Sequence, residues 1–276
     1  MDVAVVAVGG HESADGAALS GTFGAGLAAV PCGRALHQHV SALLRDTDSP
    51  VCVVPMTLGR DPRMVADTAR TLLALPRESR ERVVLADGFG TTEHLTGWLR
   101  AAASRVPAEH GLLVAAPAGD AYDDAELFRV ARLVWQYGRH RIVEVALLGG
   151  DPDPERGAER CRALGAAQVT ALAASFVAPG LPDAQPLLSP AAAARVLAAR
   201  VDAALRRMRS AGDDGIGSAL RAADHHGTSH SHGDGHGHAH GHADAYAHSH
   251  DHAHAHAHPR PHRLDRAAPA PVSPVS

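Results

Sequence analysis

The sequence predicts an α/β fold: two similar lobes with parallel sheets flanked by helices, followed by a histidine-rich tail. Three observations carry this expectation. Short, continuous apolar runs recur, each followed by a longer helical pattern, as expected of buried parallel strands joined by crossover helices. Aromatic residues make up only 3% of the 276 residues, so the core must be built from small aliphatic side chains packed between helices and strands. One segment near the N-terminus also recurs midway along the chain.

In order, the strand candidates are 3–8, 51–56, 82–86, 112–116, 142–148 and 169–173, all apolar runs such as VCVVPM and LLVAA. Between and after them, helical patterns are expected at roughly 33–45, 62–75, 91–104, 124–137, 154–164 and 190–209. No strand is expected in SGTFGAGLAAVPC at 20–32, which is too rich in glycine. The repeat aligns VGGHESADGAAL at 8–19 with APAGDAYDDAEL at 116–127, pairing Glu12 with Asp120, Asp15 with Asp123 and Leu19 with Leu127. Further on, PVCVVPMTL at 50–58 has its counterpart in QVTALAASF at 168–176. The expected domains are therefore a first lobe at 1–107, a degenerate second copy at 108–210 and a tail at 211–276.

Residues 225–262 hold fifteen of the twenty-one histidines, interleaved with Gly, Ala, Ser and Asp. Such a stretch cannot bury enough apolar surface to offset the entropy of ordering it, so disorder is expected without metal. Alternating H-x-H spacing lets several imidazoles converge on one divalent ion. The expected metal ligands here are His230, His232, His236, His238, His240, His242, His248, His250, His252, His254, His256 and His258. Asp224, Asp234, Asp244 and Asp251 add oxygen donors. Without fixed geometry such a tail does not choose among cobalt, nickel, copper and zinc.

A formal net charge of −4 offers no whole-chain argument for nucleic-acid binding, which would need a basic face, and no such partner is expected. The three cysteines, Cys32, Cys52 and Cys161, are far apart and in no CxxC pair, so neither a disulfide framework nor a thiolate metal site is indicated. The opening MDVAVVAVGGH lacks a basic leader, and no run approaches the roughly 18 apolar residues of a membrane span. A cytoplasmic protein with no membrane partner is the expectation.

The motif VAVGGHES puts His11 between a strand end and a helix, where open α/β sheets bind ligands. It is neither a P-loop nor a dinucleotide fingerprint, so no nucleotide is expected. The strand ending in G-H, the VVP strand some forty residues on, a third strand with a glycine-marked turn and the second copy together resemble the class II chelatases. ELFRVARLVWQYGRHRIVEVALLGG and RCRALGAAQVTALAASFVAPGLPD look like that family's repeated half. Over roughly residues 1–208 the chain is similar to the CbiX-type sirohydrochlorin cobaltochelatases, some of which also carry a histidine-rich segment.

The resemblance implies a lyase of cobalamin (vitamin B12) biosynthesis that inserts Co(II), or nickel or iron, into the tetrapyrrole sirohydrochlorin without ATP. The family's catalytic histidine carries over to His11, as metal ligand and proton acceptor. Glu12 stands where the family has glycine. The second family histidine is missing from VVPMTLGRDPR, where Asp61 lies near its expected place. Glu12 and Asp61 are thus expected to assist His11, and Arg60 and Arg63 to pair with substrate carboxylates. Solvated surface is the alternative for both arginines. His37 and His39 cannot share a helical face, and His94 is one strand too late to replace the missing histidine. The alternative function is a non-catalytic cobalt or nickel metallochaperone or store with a chelatase-like core. A monomer is expected, because two lobes in one chain could replace a dimer.

Overall fold

A computed structural model of the chain describes residues 3–180 and 184–221. It contains two parallel sheets. The first has four strands, β1 (Ala4–Gly9), β2 (Ala28–Pro31), β3 (Val51–Pro55) and β4 (Val83–Leu85), in the order β2-β1-β3-β4. The second has β5 (Gly111–Pro117), β6 (Val143–Leu148) and β7 (Val169–Ala173), in the order β6-β5-β7. In both, the first strand of the half lies between its second and third. Aligned by position, β3 and β7 are equivalent, matching the pairing of 50–58 with 168–176.

The helices are α1 (Leu19–Phe23), α2 (Arg34–Asp46), α3 (Pro62–Leu73), α4 (Arg77–Arg80), α5 (Thr92–Ala103), α6 (Ala121–Gln136), α7 (Pro154–Ala163) and α8 (Pro190–Ala211). Strand alternation assigns faces. Val6, Val8, Val51 and Val53 of the first sheet pack with Leu36, Val40, Met64 and Leu72 of α2 and α3. Ala7, Cys52 and Val54, one residue out of phase, join a second core with Leu95 and Leu99 of α5 and Val201 of α8. That core also takes Leu112, Val114, Leu127 and Leu172 from the second sheet and α6. A smaller cluster packs Leu113, Ala115, Ala146 and Ala171 under Ala158 of α7.

The two halves share one core. α8 packs on β3 and β4, the first sheet, while α5 packs on α6 and β7. The two halves therefore exchange helices, and their described residues belong to one compact unit. β2 forms within the stretch expected to lack a strand. Its four residues pair with β1 alone, and an edge strand needs only one row of hydrogen bonds, so a short segment next to glycines suffices.

The packed part also runs past the expected boundary at 210. The Leu85 N–H at the edge of β4 donates to the Asp214 carbonyl at 2.8 Å, and Ile216, 2% exposed, enters the core beneath α2 and α3. Residues 216–221 are helical. The tail histidines expected to bind metal, and the aspartates among them, lie outside the described residues. Among the described residues no helix is long and apolar enough to cross a membrane.

Candidate metal-handling site

In the first sheet, β1 is followed by β2 on one side and then by β3 on the other, so the chain reverses between β1 and β3. The crevice beyond the carboxyl ends of strands at such a reversal is where open α/β sheets take ligands. His11 follows β1, and Asp61 follows β3 as the N-cap of α3.

The two glycines at the end of β1, Gly9 and Gly10, make their approach possible. A Cβ on Gly9 would lie 2.0 Å from the Gly16 nitrogen, and one on Gly10 would lie 2.1 Å from Asp61 Oδ2. Any side chain at either position would push the turns apart. The chain then makes a 3-10 turn, His11–Ser13, and passes through Ala14 at φ 50° and Asp15 at φ 53°. Left-handed backbone at non-glycine residues costs on the order of 1 kcal/mol or more each. It is held by Asp15 N–H donating to the Gly10 carbonyl at 2.9 Å and Ala18 N–H to the Ser13 carbonyl at 3.0 Å.

His11 Nδ1 lies 3.1 Å from Asp61 Oδ2, and the other oxygen of Asp61 accepts from the Met64 N–H at 3.0 Å. Both carboxylate oxygens are thus engaged within the protein. His11 Nε2 has no partner. Burial pulls the His11 imidazole down, but the hydrogen bond to Asp61 and the negative field of Glu12 and Asp61 outweigh it, leaving it above its ordinary value. Burial pushes Asp61 up, yet the hydrogen bonds from His11 and the Met64 N–H hold its carboxyl below the usual value. The pair is an imidazolium facing a carboxylate at mildly acidic pH, and an oriented neutral ring with a buried, unpartnered Nε2 once the proton leaves.

Glu12 does not stand at the site surface as expected. It is 0% exposed. One carboxylate oxygen accepts from the Thr57 hydroxyl and from the Leu58 N–H at 2.9 Å, and Oε1 is unpartnered. Thr57 Oγ1 in turn accepts from the Gly59 N–H at 3.0 Å and the Asp61 N–H at 3.3 Å. Glu12 and Thr57 therefore shape the 57–61 turn from beneath. Burial raises the Glu12 carboxyl above its usual value, against the nearby Arg60 charge and these hydrogen bonds.

The arginines part company. Arg60 is 1% exposed, so it is neither solvated surface nor open to a substrate carboxylate in this structure; its guanidinium is taken up by the second half of the chain. Arg63, with its side chain 74% exposed, pairs with Asp120 Oδ2 at 2.9 Å and can exchange that partner for a ligand carboxylate. His94 caps α5 through Thr91, and His37 and His39 lie on α2, so none of them joins His11.

Sequence reasoning missed Thr57 and Phe176. The Phe176 N–H donates to the Glu12 carbonyl at 2.9 Å, bringing the end of the second sheet onto the His11 turn. Neither had a sequence signal beyond one polar residue in an apolar stretch. Phe176 also lines a cavity of about 500 Å³ between residues 17–22 of the first half and the segment after β7. Among the described residues no group of three or more His, Cys, Asp or Glu side chains converges as a metal cage. The buried thiols of Cys52 and Cys161 are pushed up to about 12 and about 11. No protein-family model matches this chain, and no curated protein matches it.

Proposed function

We propose that the protein inserts a divalent metal, cobalt by resemblance, into a sirohydrochlorin-like tetrapyrrole, with His11 as metal ligand and proton acceptor. One observation carries the reading: Asp61 holds the His11 ring through Nδ1 and leaves Nε2 buried and unpartnered, so the covering residues must move aside for an ion to reach it. A carboxylate behind a histidine fixes its tautomer and raises the basicity of the other nitrogen, the arrangement commonly found behind metal-binding imidazoles. Asp61 is then an orienting group, with no need to replace a second histidine ligand.

Insertion requires loss of two pyrrole protons and delivery of the ion to the ring nitrogens. A single protein imidazole suits this better than a closed cage, because an ion held weakly can be passed on to a macrocycle that supplies the remaining donors. The cavity beside the Glu12–Phe176 contact offers apolar walls to a flat ring, and Arg63 offers a charge to its carboxylates. ATP has no role in this chemistry.

The test is the visible spectrum of sirohydrochlorin with Co(II), with and without the protein and its His11→Ala variant. Insertion no faster than the uncatalysed rate would rule out the enzyme and leave a cobalt or nickel carrier. The sealed position of Glu12 favours that second reading, because it removes one expected proton acceptor from contact with substrate.

A further inference from the structure

Among the described residues, Arg60 is the largest side chain that is fully buried. It leaves the turn carrying Asp61 and enters the second half of the chain. Its Nε donates to the Asp123 carbonyl at 3.1 Å and its Nη2 to the Pro117 carbonyl at 3.3 Å. Nη2 also lies 3.6 Å from Asp124 Oδ1, while Nη1 has no partner. Burying a guanidinium costs several kcal/mol, and an apolar side chain of similar volume would fill the space at less cost. Packing alone does not account for the residue.

Its contacts give a different account. Two of its acceptors are backbone carbonyls, one at the end of β5 and one in the first turn of α6, so their positions are fixed by the second sheet. Arginine's planar fork meets such a pair with little freedom left. Asp61 is the next residue in the chain, and its carboxylate reaches His11 only because the 57–61 turn sits where it does. The turn is held from below by Glu12 and Thr57, and from the side by Arg60. The second contact across the halves, Phe176 to Glu12, fixes the His11 turn in the same way.

We propose that Arg60 is a positioning residue, locking the Asp61 turn onto the second half of the chain so that the Asp61–His11 hydrogen bond forms only when the halves are docked. The proposal rests on His11 and Asp61 being the working pair, but not on metal insertion taking place. It makes the second half, which contributes no side chain to that pair, a requirement for its geometry. Asp124 supplies the counter-charge, and the fork supplies the direction.

The experiment reads the imidazole itself. In the full chain without metal, at one mildly acidic pH, the His11 ring resonances are recorded by proton–nitrogen NMR and assigned by their loss in His11→Ala. Asp61→Asn gives the position for a ring without its carboxylate. Arg60→Lys and Arg60→Met are expected to move the ring signals at least half of the way toward that position, whereas Arg70→Ala, at an exposed arginine of α3 paired with Asp67, leaves them unmoved. Lysine keeps the charge but not the fork, so wild-type ring signals in folded Arg60→Lys overturn the proposal, whatever happens to thermal stability. If Arg60→Met does not fold, Arg60→Lys decides alone. A protein that fails to insert cobalt still gives this answer, which keeps the two readings separable.

Discussion

At the scale of single residues, the site depends on a ring and the carboxylate behind it. Replacing His11 by Ala is expected to lower metal insertion by 100-fold or more, within the roughly 10²–10⁴ range for loss of an acid–base group. The fold should survive, since the ring caps no helix. Asp61→Asn keeps an oxygen for the Met64 N–H but no longer holds an anion against Nδ1. It should weaken Co(II) binding by about 10- to 100-fold, the range for losing the group behind a metal-bound histidine, as measured by titration of visible absorption. Binding as tight as wild type would remove Asp61 from the site. Glu12 gives a pH test. Its carboxyl is raised in the folded protein from an ordinary 4.5, so its contribution to stability is complete below that pH and declines as pH rises through the folded value. Glu12→Gln should flatten this decline in urea midpoints measured from pH 4.5 upward, whereas Glu12→Ala should cost about 1–3 kcal/mol by leaving the Leu58 N–H buried and unpaired.

At the scale of elements, the segment after α8 serves the sheet. Asp214 pairs the open edge of β4, and Ile216 fills a gap beneath α2 and α3. A chain ended after Gly212 therefore loses a buried isoleucine, about 2 kcal/mol, and a backbone partner for Leu85. Its thermal midpoint should fall by several degrees, since about 1 kcal/mol moves a domain of this size by roughly 2–4 °C. A chain ended after Arg221 should melt with the full-length protein. Equal midpoints for the two truncations would show that the 212–221 segment adds nothing to the sheet. Tests of the tail belong with the second cut, because the first would confuse loss of histidines with damage to the fold.

At the scale of the whole molecule, the histidine-rich stretch and the His11 site are read as two metal-handling parts of one chain. Ending the chain after Arg221 should remove several bound equivalents of Co(II) by equilibrium dialysis. It should slow insertion when Co(II) is buffered at low levels and leave it unchanged at saturation. Loss of activity in excess cobalt would mean that the tail is part of the site. Because imidazoles must be neutral to bind, with an ordinary value near 6.5, the tail's capacity should fall as pH drops below about 6.

The sequence by itself determined the α/β alternation, because strands buried on both faces must be continuously apolar: runs such as VCVVP and LLVAA can serve as little else. It also placed His11 at a strand end, through a double glycine whose need becomes visible when Asp61 Oδ2 is found where a Gly10 side chain would lie. Other features were decided only by tertiary structure. β2 is short and follows a glycine-rich stretch, so it does not announce itself, and becomes a strand because β1 offers it an edge. α8 follows the second sheet in the chain yet packs on the first, a choice made by which apolar face remains uncovered. Local pattern could not show that Glu12 turns inward under Thr57 or that Arg60 crosses to the second half. The partners of those buried charges lie dozens of residues away, and only folding brings them within hydrogen-bonding distance.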